Sequence, residues 1–177
     1  MLRIFFLNAI NKMNKYPSAI CILPQGVVHL VEDKDITYIK IKFHNVPTGW
    51  HGFHVHKYGD LSDGCTSCCD HYNPFEAPHG GPDNCACFRH VGDLGNVYAD
   101  QNGVVDTILM DPYVRLTGQY SVIGRSLVLH AKPDDLGQGG DAESKKTGNA
   151  GKRIGCGVIG HSRPSTRLPL VNNSSSE

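Results

Sequence analysis

Ile36-Thr-Tyr-Ile-Lys-Ile-Lys-Phe43 is the stretch on which the fold turns. Successive side chains of a strand point to opposite faces, and this segment sorts into two sets. Ile36, Tyr38, Lys40 and Lys42 share one face; Thr37, Ile39, Ile41 and Phe43 share the other, which is the better core face. Outward from it, residues 18–23 and 27–31 read as strands flanking Pro24-Gln25-Gly26, a hairpin turn. Residues 52–57, 104–110, 126–131 and 156–161 add four short strands, and 92–99 another that its glycines weaken. No segment holds a helical period with caps at both ends. The expected fold is therefore all-β, an antiparallel sandwich or barrel.

Two long segments interrupt this pattern, 58–90, rich in Gly, Cys, His and Pro, and 132–155, rich in Gly and charge. Loops of that length in a compact domain are usually functional. Residues 18–161 read as one domain, preceded by an extension at 1–17 and followed by a flexible tail at 162–177. The apolar start is short and interrupted by Asn8, with no convincing cleavage site. The expectation is a ragged start upstream of Met13 rather than a secretory signal, and an intracellular, cytoplasmic protein. No stretch approaches the roughly 18 apolar residues of a membrane span. Seventeen basic side chains balance seventeen acidic ones, so neither nucleic-acid nor membrane-surface binding is expected. Seven cysteines leave at least one thiol unpaired within the chain, unlike the even set of a secreted disulfide scaffold.

Placement makes the ten histidines informative. His54 and His56 are two apart on a strand, hence on one face and about 6.6 Å apart, close enough to converge on one ion. His71, His79 and His90 lie in the first long loop, His90-Val-Gly-Asp93 forms its exit, and His130 ends Leu127-Val-Leu just before the second. Histidines on loops that return to one strand end are what a metal centre needs. Imidazole suits zinc and copper, a carboxylate such as Asp93 is compatible with zinc, and four imidazoles without thiolate favour Cu(II).

The segments Gly52-Phe-His-Val-His-Lys-Tyr-Gly-Asp60, Gly64-Cys-Thr-Ser67, His71-Tyr-Asn-Pro74, His79-Gly-Gly-Pro82, Arg89-His-Val-Gly-Asp-Leu-Gly-Asn96, Gly124-Arg-Ser-Leu-Val-Leu-His130, Asp134-Asp-Leu-Gly137, Lys146-Thr-Gly-Asn-Ala-Gly151 and Cys156-Gly-Val-Ile-Gly160 together resemble the copper–zinc superoxide dismutase family. The resemblance implies a Greek-key β-sandwich, or flattened barrel, of about eight strands with two functional loops. It implies copper on His54, His56, His71 and His130 and zinc on His71, His79, His90 and Asp93, with His71 shared and passing a proton during turnover. It further implies that Asp134 links a copper-side to a zinc-side histidine, although Asp134 and Asp135 could simply form a solvated turn. Arg153 would dock superoxide beside copper, Lys132 and Lys146 would attract it, and Glu143 would shape the field. Ala142 stands where many relatives carry a second acid.

By the same resemblance Cys65 pairs with Cys156, and the chain forms the intracellular type's homodimer through Tyr58-Gly59, Ile123-Gly124 and Val158-Ile-Gly160. The implied function is dismutation of superoxide by copper cycling, an antioxidant defence. The competing reading is a non-enzymatic metal handler on the same fold. Cys68, Cys69, Cys85 and Cys87 fall outside the pattern. Their expected arrangement is one extra disulfide joining Cys68 or Cys69 to Cys85 or Cys87, against reactive surface thiols or a third metal site. Cys21 is expected as a buried free thiol, His51 as a packing residue, and His29, His44 and His161 at the surface.

Overall fold

The computed structural model describes residues 16–163 together with Ser165 and Pro169. Eight strands carry it: β1 (Ser18–Leu23), β2 (Gly26–Asp33), β3 (Ile36–Phe43), β4 (Gly49–His56), β5 (Asp93–Ala99), β6 (Val105–Asp111), β7 (Ser126–His130) and β8 (Arg153–His161). All neighbours are antiparallel, in the order β5-β4-β7-β8-β1-β2-β3-β6. The expected strands are all present, but β4 starts three residues early, at Gly49, and β8 three early, at Arg153. Trp50 and Arg153 break a simple apolar run, yet β4 pairs from Gly49 opposite Ala99, and Arg153 pairs with His130. The order departs from the chain sequence at β4-β7, β8-β1 and β3-β6, as Greek-key crossings require.

Alternation in β3 sets the layer. Thr37, Ile39, Ile41 and Phe43 are buried, their alternates only partly or not at all. Register places Leu30 and Leu109 on either side of Ile39, and Phe43 meets Phe53 of β4 edge to face at 5.9 Å. The core thus joins β1-β2-β3-β6 to β5-β4-β7-β8. Strand β8 is the seam: its first part pairs with β7 and its end, Ile159 to His161, with β1. The seam joins the two halves into one eight-stranded sheet. β5 and β6 are the two strands at the ends of the order.

Helix is limited, among the described residues, to a 3-10 turn at Thr66–Cys68 and one turn, α1 (Ser144–Thr147), in the second long loop. Cys65 is bonded to Cys156 across a separation of 91 residues, tying the first loop to β8. In the chain-entropy account a closure of that length contributes about 4–5 kcal/mol. Arg89, wholly buried, reaches Asp111 on β6 at 2.8 Å and also donates to the Pro82, His90 and Val91 carbonyls. It therefore ties the first loop to the other sheet.

Pairing does not stop at His161. Ser162 donates to the Ser18 carbonyl, and Tyr16 and Ser165 exchange backbone hydrogen bonds at 2.8 and 3.1 Å. The rest of the extension and of the tail lies outside the described residues, as does the expected start near Met13. Among the described residues no helix is long and apolar enough to cross a membrane.

Candidate metal centre

Strand β4 delivers His54 and His56 to one side, and the structure buries both. The ladder shifts register between Gly52 and His54 on β4 and between Leu129 and His130 on β7. Such irregularities re-aim side chains at the ends of sheets. His71 comes in from the first loop through an isolated bridge to His56. The result is one buried set, His54, His56, His71 and His130, beside a second, His71, His79, His90 and Asp93. In each set the donor atoms lie within 4.8 Å of one another, and His71 belongs to both.

Hydrogen bonds decide which nitrogens face inward. His56 Nδ1 donates to the Cys69 carbonyl at 2.7 Å and His130 Nδ1 to that of Gly151 at 3.1 Å, leaving each Nε2 a lone pair. Those two Nε2 atoms are 3.3 Å apart. Two lone pairs so close repel unless a cation lies between them. His54 gives Nε2 to Asp134 at 2.8 Å, and its buried Nδ1 has no hydrogen-bond partner; neither does His71 Nε2. Buried polar atoms are almost always partnered, so four imidazoles turning lone pairs inward fit a nitrogen-coordinated metal such as Cu(II).

On the other side three imidazoles converge on one carboxylate oxygen. Asp93 Oδ1 lies 2.8, 3.0 and 3.1 Å from Nδ1 of His71, His79 and His90, while Oδ2 accepts the Gly80 and His90 amides. Burial alone would raise the Asp93 pKa, but the hydrogen bonds from His71, His79 and His90 outweigh it and hold the carboxyl well below the usual range. Three nitrogens and one anionic oxygen are a zinc donor set.

Asp134 spans the two sets. Its Oδ2 takes His54 Nε2 and its Oδ1 takes His79 Nε2, both at 2.8 Å, which accounts for the close grouping of His54, His79 and Asp134. It is buried, unlike a solvated turn. Asp135 serves the loop instead, accepting from Ser144 and Asn149. Asn96 holds Asp134 in place, accepting its amide at 2.7 Å and donating to its carbonyl at 2.9 Å. Gly148, at φ 66°, leaves the space; a Cβ there would strike Asp134 Oδ1 and His79 Nε2.

The copper-side set opens into a cavity of about 420 Å³ lined by His56, His130, Lys132, Glu143 and Arg153. Lys146 instead lines a neighbouring depression with Lys57 and Arg125 that also reaches His71 and His90. Arg153 is fixed from behind: Nη1 donates to the Cys65 and Thr66 carbonyls at 2.6 and 3.3 Å, and Nη2 to Cys69 at 2.6 Å. The Cys65–Cys156 bond, three residues from Arg153, anchors the segment that supplies those carbonyls. The Cys69 carbonyl orients both His56 and Arg153.

The expected cross-loop disulfide is not formed. Cys85 pairs with Cys87, and Cys68 and Cys69 are free. Cys68 is wholly buried with its thiol turned to the Asp60 carbonyl, whereas Cys85 and Cys87 lie exposed at a loop tip. Cys21 is a buried free thiol as expected, and burial pushes its pKa up to about 12. His51 packs between the His130 and Pro47 carbonyls, and His29, His44 and His161 are exposed.

Sequence reasoning passed over Asn96, Gly148 and Arg89. All three sit inside matched motifs, which is the available signal; the roles of Asn96 and Arg89 depend on partners 38 and 22 residues away, Asp134 and Asp111, and that of Gly148 on the space beside Asp134 and His79.

Comparison with known proteins agrees with this geometry. Residues 24–159 match the family model for copper/zinc superoxide dismutase. The chain is 51% identical over 155 residues to a Cu-Zn superoxide dismutase of Paramecium bursaria Chlorella virus 1, covering 85% of this chain and 82% of that protein. It is 47% identical over 137 residues to Cu-Zn superoxide dismutase 3 of Arabidopsis thaliana, covering 77% and 82%. An extracellular Cu-Zn superoxide dismutase of Drosophila melanogaster is 50% identical over 123 residues, covering 70% and 67%. With two histidine sets meeting at one shared imidazole and a family match along most of its length, the chain belongs to the copper/zinc superoxide dismutase family.

Proposed function

We propose that the enzyme works through His71, the one imidazole shared by both donor sets, which would help to hold copper on one side and zinc on the other. The protein is a superoxide dismutase: two superoxide ions and two protons become one O2 and one hydrogen peroxide, an antioxidant reaction. Bound copper supplies the one-electron couple that this requires, which zinc lacks. His54, His56 and His130 complete the copper side, and His79, His90 and Asp93 the zinc side. The observation that carries the reading is the His71 ring, whose Nδ1 lies 2.8 Å from Asp93 while its Nε2 has no hydrogen-bond partner among the described residues.

His71 Nε2 is the proposed proton carrier. It would take up a proton there and pass it to the departing peroxide. Arg153 docks the anion through a guanidinium whose orientation the Cys65 and Cys69 carbonyls set. Lys132 gives the cavity mouth positive charge, Glu143 trims it, and Lys146 extends the positive field from the adjoining depression. Asp134 keeps His54 and His79 in the tautomers that turn Nδ1 inward. Superoxide decay measured with copper- and zinc-loaded protein tests the assignment, with His130→Ala as the comparison. The variant loses most activity under this reading; full activity would sink it.

Assembly and location rest on separate support. Tyr58 and Val158 are 48% and 39% exposed beside Gly59 and Gly124, a surface suited to a second copy of the chain. Sedimentation should give twice the chain mass; a monomer at micromolar concentration would count against it. The odd cysteine number and the free Cys21, Cys68 and Cys69 support an intracellular, cytoplasmic enzyme. Recovery of the native protein only outside cells would overturn that placement.

A further inference from the structure

The two disulfides differ in exposure and in the length of chain they close. Cys65–Cys156 is partly buried, spans 91 residues and sits behind Arg153. Cys85–Cys87 closes only two residues, and both cysteines are exposed. The loop beneath this tip is held by other bonds. Gly80 is bonded to Asp93, Gly81 to the Asn84 side chain, and Arg89 grips both Pro82 and Asp111. Opening Cys85–Cys87 therefore frees a tip while His79 and His90 keep their places.

We propose that Cys85 and Cys87 form a thiol–disulfide exchange site for small thiols of the glutathione class. A thiolate attacks one sulfur, the Cys85–Cys87 bond breaks, and a mixed disulfide forms as the other cysteine leaves as thiolate and takes a proton. A second thiol attacks the mixed disulfide, releasing the oxidised small-molecule disulfide and leaving two protein thiols. Hydrogen peroxide closes the cycle. One thiolate attacks it to give a sulfenic acid and hydroxide, which takes a proton to become water, and the other thiol displaces a second water to restore the disulfide. The sum is two thiols and one peroxide to one disulfide and two waters. Access favours this pair over Cys65–Cys156, since exposed disulfides are the labile ones. The peroxide source rests on the dismutase reading, so the test adds peroxide directly and the two can fail separately.

Metal-loaded protein is incubated without oxygen in graded reduced glutathione, alkylated and mapped by peptide mass. The peptide holding Cys85 and Cys87 should gain two alkyl groups at roughly tenfold less thiol than opens Cys65–Cys156. In a parallel sample, reduced and freed of glutathione but not yet alkylated, added peroxide should restore the disulfide, so that the peptide then takes up no alkyl group. The Cys85→Ser/Cys87→Ser variant should keep dismutase activity and lose roughly tenfold of the thiol-dependent peroxide consumption that the parent shows above buffer. The proposal is overturned if the two disulfides open together, if peroxide leaves sulfinic acid instead of a disulfide, or if the variant consumes peroxide at the parent rate.

Discussion

Asp134 donates to neither donor set, yet both rely on it. One carboxylate accepts from His54 and from His79, and an amide has only one oxygen to offer. Asp134→Asn should force one imidazole to turn over and put a proton on an inward nitrogen. The expected loss is about 10–100-fold in metal affinity, read as metal retained after dialysis against a chelator; retention equal to the parent would refute it. Cys69 raises a different issue. It holds φ 64°, ψ −146°, a region that favours glycine, and so aims its carbonyl at His56 and Arg153. Such backbone strain costs about 1–3 kcal/mol. Cys69→Gly should therefore stabilise the fold by about 1 kcal/mol in denaturant unfolding, after the added chain entropy of glycine. A destabilised variant would show that the thiol, not the backbone, matters there.

At the scale of elements, strands were legible and loops only in part. Alternation in Ile36–Phe43 assigned the core face because β3 is buried on one side. The cysteines misled because pairing depends on where thiols point; the 3-10 turn at Thr66–Cys68 buries Cys68, which no spacing reveals. The metal loops also set a pH response. Burial pulls His54, His56 and His71 down and His130 to about 4. Near pH 5 the His130 ring is neutral when folded and charged when unfolded, and the other three shift in the same direction. The unfolded state then binds more protons, so stability falls as pH drops from about 6.5 toward 4. His79 runs the other way: burial lowers it, but hydrogen bonds to Asp134 and Asp93 prevail and raise it to about 9. Its stabilisation is full below the unfolded value of 6.5 and is lost as pH rises through 9. Chelator-stripped protein should therefore melt lower at pH 5 than at pH 7, by up to about 1.4 kcal/mol per pH unit per histidine. Equal melting at both would contradict the buried neutral set.

Over the whole molecule, charge cancels, so any attraction of superoxide must come from local placement. Lys132 and Arg153 share the cavity, with Glu143 the acid among its lining charges nearest in the chain to Ala142. A positive cleft can raise on-rates about 10–10³-fold. Restoring an acid with Ala142→Glu should lower kcat/KM and alter its dependence on ionic strength; an unchanged slope would dismiss the steering role of this rim. The two histidine sets were readable from His-x-His on one strand and histidines at loop exits, and motif resemblance supplied the pairing. Asn96 and Gly148 were not readable as site residues, because what they do arises only when 131–151 folds back over β4 and β5. The account turns on His71 as the shared ligand and proton carrier. Its most direct test is His71→Ala, with copper and zinc content and superoxide decay measured on the same sample. The account predicts a fall in kcat/KM of about 10²-fold or more, even where copper remains bound. Full activity with both metals at parent occupancy would contradict it.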